Sequence, residues 1–212
     1  MCLRLNLKNH VLNKKEHWET VYGTKTPEEV SWTQKVPQIS LDLIHSLSLK
    51  KNSKIIDVGG GDSKLVDFLL DEGFEDITVL DISGKALERA KKRLGEHANK
   101  VTWIETDIIS FQPKENYDLW HDRAAFHFLT EPEQIQSYLD LVNESVQGHL
   151  IIGTFSENGP EKCSGLSIKQ YSPEQMEATF QKFEKMGCQT ENHQTPFGTT
   201  QHFLFCRFKR RA

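Results

Sequence analysis

The 212-residue chain carries 30 acidic residues against 26 lysines and arginines, a formal net charge of −4 with a pI near 6.1, and 37% of it is hydrophobic. That length suits one domain with a single substantial core. Apolar runs never exceed five residues, far short of the ~18–20 that a membrane helix needs, and no global basic field marks a nucleic-acid partner. The four cysteines, Cys2, Cys163, Cys188 and Cys206, form no CxxC pair. They are expected to be reduced thiols in a cytoplasmic protein. The opening segment lacks acids, but it is poor in Arg and Ser and has no continuous apolar stretch, so no targeting segment is expected.

The first 50 residues are helical or irregular and are expected to form an N-terminal cap or lid, with residues 51–212 forming the main domain. Residues 54–58 make a short apolar run ending in Gly59-Gly60-Gly61, and residues 63–70 recur with helical period up to Gly73. A second strand at 77–80 ends at Asp81. Ala86, Leu87, Ala90 and Leu94 then share one helical face, with Gly95 as its cap. Strands follow at 101–104 and 118–121, and Glu131-Pro132 opens a helix to about Val146. A fifth strand occupies 150–155. Ser172-Pro173-Glu174-Gln175 reads as a capping box starting a helix to Gly187. Extended segments at 189–195 and 201–208, joined by a short turn, suggest an antiparallel hairpin. The alternation predicts an α/β fold with a doubly wound, mostly parallel sheet.

The chemistry concentrates at the strand ends. In Asp57-Val58-Gly59-Gly60-Gly61-Asp62-Ser63, a dinucleotide fingerprint would need glycine at position 64, which is Lys64. Asp57 would repel a pyrophosphate and suit a ligand with an ammonium group. Asp81 follows Gly59 by 22 residues, the spacing at which an acid in such folds accepts from ribose hydroxyls. Asp107 lies past the third strand, where it can accept from an adenine amino group while Ile82 and Ile108 enclose the ring. Three acids at successive strand tips line the crevice where open α/β sheets bind ligands.

Asp57-x-Gly59-x-Gly61 with Asp81 and Asp107 resembles the class I S-adenosylmethionine-dependent methyltransferases, over about residues 54–208. The resemblance implies a seven-stranded Rossmann-like sheet with a terminal antiparallel hairpin. It also implies that Asp57, Gly59, Gly60 and Gly61 hold the methionine part of S-adenosyl-L-methionine, Asp81 the ribose, and Asp107 with Ile82 and Ile108 the adenine. The family pattern often has a further glycine where this chain has Ser63. The fourth strand, reading His121-Asp122-Arg123-Ala124-Ala125-Phe126-His127, lies beside the methyl donor in that family. His121, Asp122 and His127 are therefore the candidates for acceptor contact or proton removal, His121 also touching the cofactor. Methyl transfer is an in-line displacement in which holding the acceptor in place supplies much of the rate, so no base is required. The segment with Trp18 and Trp32 resembles a lid over the cofactor, the alternative being two aromatics that anchor an N-terminal helix onto the sheet. That alternative stays open for Trp18, and Trp32 is counted with the cofactor site.

Cys163 and His193 are expected to border the acceptor site, without a metal, because no close cysteine cluster supports one. Lys91-Lys92-Arg93 and the basic residues 207–211 read as solvated surface. The resulting expectation is methyl transfer to a small-molecule acceptor by a monomer or weak homodimer, with no nucleic acid and no membrane. Protein-lysine methylation and a non-catalytic cofactor-binding module are the alternatives; a nicotinamide dehydrogenase is disfavoured by Lys64 and Asp57.

Overall fold

The computed structural model describes residues 14–211, so the readings made for Cys2 and for the opening segment before residue 14 lie outside the described residues. Helix α1 covers residues 14–24 and α2 spans Gln38–His45. The sheet then begins: β1 (Lys54–Val58), α3 (Leu65–Asp71), β2 (Asp76–Asp81), α4 (Gly84–Leu94), β3 (Val101–Glu105), β4 (Tyr117–Arg123), α5 (Pro132–Ser145) and β5 (Val146–Phe155). Two short strands, β6 (Lys162–Cys163) and β7 (Leu166–Ser167), form a separate ribbon. Helix α6 (Pro173–Thr179) leads into β8 (Phe183–Gln194) and β9 (Thr200–Arg210). The main sheet has seven strands in the order β3-β2-β1-β4-β5-β9-β8, parallel except where β9 pairs with β5 and β8.

Alternating side chains along each strand fill two apolar layers. Ile55, Leu119 and Ile151 pack with Leu41 and Ile44 of α2, Leu65 and Leu69 of α3, and Leu87 of α4. Their neighbours Ile56, Trp120, Leu150 and Ile152 point the other way, onto Tyr138 and Val142 of α5 and Met176 of α6. Both faces of the sheet are thus covered, as parallel strands require. The helix starts follow local chemistry. Ser83 Oγ accepts from the Ala86 amide, Pro132 occupies the first turn of α5, and Ser172 and Gln175 form the expected capping box.

The structure corrects two expectations at the far edge. Helix α6 stops at Thr179, and β8 begins at Phe183 rather than near residue 189. Phe183 pairs with Arg210 and is buried in the same layer as Phe180 and Phe208, so pairing with the long β9 overrides the continuing helix. Cys188 and Cys206, read as reduced thiols, are joined by a disulfide. They lie directly opposite each other in the β8–β9 ladder with Cα atoms 4.1 Å apart, a proximity created by long-range register. Reduction is expected to remove up to about 3 kcal/mol of stability by restoring loop entropy to the unfolded chain. Urea unfolding with and without dithiothreitol checks this, and identical midpoints would show that the bridge adds no stability.

Candidate active site

The strand order reverses between β1 and β4, and at such a point the connections diverge and leave a crevice beyond the carboxyl ends of the strands. A cavity of about 940 Å³ occupies that place, lined by Asp57, Gly59, Gly60, Asp81, Ile82, Asp107, Ile108, His121 and Trp32 among others. Of the residues expected at the cofactor, only Gly61 does not line it. That glycine packs beneath the turn, where an added Cβ would stand 2.9 Å from Asp81 Oδ2 at a φ of +46°. Gly59 has a φ of +67°, and a Cβ there would meet that of Ala125 at 2.7 Å. Glycine at both positions lets the turn close against its neighbours, and the Gly59 and Gly60 amides donate to Leu80 O at 2.8 and 3.2 Å.

Asp81 is buried at the tip of β2 and one carboxylate oxygen accepts from the Ser83 amide at 2.8 Å. Burial pushes its pKa up to about 7; the Ser83 hydrogen bond opposes that shift, while Asp62, Asp57 and Glu19 add to it. Asp107 caps the short turn after β3 and accepts from the Ile109 amide at 3.1 Å.

The fourth strand requires corrections. Asp122 and His127 do not line the cavity. Asp122 is fully buried and accepts from the Ala125 and Phe126 amides, each at 3.0 Å, and from the Tyr138 hydroxyl at 2.8 Å. It ties the chain after β4 to α5. His127 is packed between the rings of Phe128 and Phe155, and its Nδ1 accepts from the Phe155 amide at 3.4 Å. Burial, reinforced by the nearby Arg123 charge, lowers its pKa to about 3, so it is a neutral core residue at any ordinary pH. His121 does face the cavity, but both ring nitrogens are engaged, Nδ1 with Asp57 at 2.7 Å and Nε2 with Ser40 at 2.9 Å. It orients Asp57 and ties α2 to the sheet, and has no nitrogen left to take a proton from an acceptor.

Over the opening lies an aromatic cover. Trp18 of α1 meets Trp32 and Phe128 edge-to-face at ring separations of 5.5 and 5.3 Å, and Tyr22 stands 6.2 Å from Trp32. Lys14 donates to Phe128 O at 2.9 Å, and Arg89 of α4 donates to Tyr22 O and Lys25 O. Cys163 and His193 line the cavity as expected. Burial raises the Cys163 thiol to about 11, so it stays protonated. His193 Nε2 bonds Ser31 O at 2.7 Å. Burial and the Arg123 charge lower its pKa. Arg123 itself, unremarked within the sequence string, also lines the cavity. Its signal was its position two residues beyond His121 on the same strand, hence on the same face.

Residues 55–146 match the family described as a methyltransferase domain. A malonyl-[acyl-carrier protein] O-methyltransferase from Anoxybacillus flavithermus is 33% identical over 104 residues, 49% of this chain and 39% of that protein. The eEF1A lysine and N-terminal methyltransferase of Mus musculus is 22% identical over 122 residues, 57% of this chain and 17% of that protein. The chain thus spans less than half the length of these curated relatives. A solved S-adenosylmethionine-dependent methyltransferase from Anabaena variabilis superposes with a TM-score of 0.71 at 19% identity, covering 95% of each chain. Residues 55–146 are thus similar to a methyltransferase domain, and the chain shares the Rossmann-like fold of that solved structure.

Proposed function

We propose that this protein transfers a methyl group from S-adenosyl-L-methionine to a small-molecule acceptor. The carrying observation is the single cavity in which three carboxylates at successive strand tips form one wall and an aromatic cover the other. Its chemistry fits the cofactor. Asp57, held by His121, suits an ammonium group, Asp81 suits ribose hydroxyls, and Ile82 and Ile108 offer apolar faces to a purine. The bound cofactor would supply an electrophilic methyl group on a sulfonium. The chain's own part is to position the acceptor, to exclude water beneath Trp18 and Trp32 of the N-terminal lid, and to leave the line of attack open. With Asp122 and His127 in structural roles and His121 engaged, positioning carries the rate.

A second reading, methylation of a protein lysine, is favoured by the likeness to the mouse enzyme. Against it stands Arg123, a cation lining the same cavity, which would oppose entry of a lysine ammonium. Calorimetry with S-adenosylhomocysteine and a labelled-donor assay on small acids, phenols, thiols, amines and cell lysate separate these readings. The expected result is product-cofactor binding with label in small molecules. No binding of S-adenosylhomocysteine would end the enzymatic reading, label confined to protein would select the lysine reading, and binding without turnover on any acceptor would indicate a non-catalytic module.

A further inference from the structure

Arg123 ends β4 at the reversal of strand order, and the next residue, Ala124, turns the chain at a φ of +68°. Its guanidinium lies over the Phe203 ring at 4.8 Å, and Nη1 donates to Trp32 O at 3.1 Å. Nε and Nη2 are shielded and make no hydrogen bond, and among the described residues Arg123 forms no ion pair. Glu191 lies in its field, yet the two do not pair. Glu191 Oε1 instead takes a hydrogen bond from Gln34 at 3.2 Å, while its Oε2 is also left without a partner. Asp57 also lies in its field but is held by His121 instead, the Cys163 thiol is protonated, and His193 offers no negative charge. A cation that lines a cavity, with two shielded donors unmatched and both neighbouring carboxylates out of contact, is unfavourable unless something in the cavity completes it.

We propose that the methyl acceptor is a small carboxylic acid whose carboxylate pairs with Arg123 and whose apolar body lies against the aromatic cover. This rests on the methyltransferase reading above. A planar carboxylate matches the guanidinium fork and balances its single charge. A dianionic phosphate would leave excess negative charge near Glu191 and Asp57, both of which already act on Arg123. The binding also links the acceptor to the lid, since the same guanidinium holds the Trp32 carbonyl.

The test uses the full chain loaded with S-adenosylhomocysteine and, as probes, benzoate and phenylacetate against their neutral amides, with phenyl phosphate as the dianion. Calorimetry is expected to show the acids binding more tightly than the amides and than phenyl phosphate. Arg123→Met should cut acid affinity roughly 10- to 100-fold and erase the acid–amide difference while S-adenosylhomocysteine still binds. Because Arg123→Met also loosens the lid, Arg123→Lys provides a second readout, with a reduced but present preference for the acid. Glu191→Gln should leave the preference intact or enlarge it. Equal binding of acids and amides overturns the proposal, as does an acid preference that survives Arg123→Met or tighter binding of phenyl phosphate. Collapse of the preference in Glu191→Gln does so as well. Failure of S-adenosylhomocysteine to bind the unaltered protein would instead strike the cofactor reading, so the two failures are distinguishable.

Discussion

Asp122→Ala is expected to lower folding stability by about 3–5 kcal/mol, a large share of the ~5–15 kcal/mol available to a domain. The carboxylate is fully buried and accepts three hydrogen bonds, from the Ala125 and Phe126 amides and the Tyr138 hydroxyl. Tyr138 in turn accepts from Trp120 Nε1 at 2.8 Å, so the network joins β4, the turn after it and α5 inside one apolar layer. Truncation strands three buried donors and opens a space beneath the turn that carries Phe126. Burial holds the Asp122 pKa up, at about 6, against those same donors. The group is therefore ionised near pH 7 because the network receives its charge. Asp122→Asn retains an oxygen for the two amides and loses only the acceptor for Tyr138, so about 1–2 kcal/mol is expected. Urea unfolding of both variants measures this, with S-adenosylhomocysteine binding by Asp122→Asn expected to be unchanged. Full stability with no methyl transfer in Asp122→Asn would return the carboxylate to the chemistry.

The contrast between Asp122 and its neighbours shows where sequence reasoning reaches and where it stops. The tips of β1, β2 and β3 were legible because their signals are local: an acid at a strand end, glycines in the next turn, and a fixed spacing to the following acid. Asp57, Asp81 and Asp107 all line the cavity. The string after Leu119 looks like one cluster in sequence, although successive strand residues face opposite sides of a sheet. That alternation sends His121 and Arg123 toward the ligand crevice and Asp122 into the α5 layer, and it was available from the sequence alone. What was not available is that Ser40, from a helix before the sheet, meets His121 Nε2, because no local pattern encodes an 81-residue contact. The Cys188–Cys206 bridge was hidden for the same reason. Its formation depends on where β8 starts, and α6 ends earlier than its capping box could indicate.

Asp81 carries the other large expected effect, a dependence of cofactor affinity on pH. An ordinary aspartate titrates near 3.8, whereas burial brings Asp81 to about 7 in the free protein. As the pH rises from about 4 to 7, the folded chain must accept a charge that the unfolded chain accepts more readily, so Asp81 lowers stability across that window and no further above it. Hydroxyl donors from a ribose would satisfy the ionised form, so binding selects it. S-adenosylhomocysteine affinity is then expected to rise with pH and level off above 7. Below 7 it should fall toward tenfold per unit, roughly 50-fold between pH 7 and pH 5. Asp81→Asn keeps the shape and removes the titration. It should flatten this profile and cost about 1–3 kcal/mol of binding at pH 8. The neighbouring acids Asp62, Asp57 and Glu19 remain in that variant, so any slope they cause would survive in it. Calorimetry on both proteins from pH 5 to pH 8 decides the matter. A flat profile in the unaltered protein, or an undiminished slope in Asp81→Asn, would remove Asp81 from the ribose and leave the aspartate at the tip of β2 as a buried acid that only Ser83 restrains.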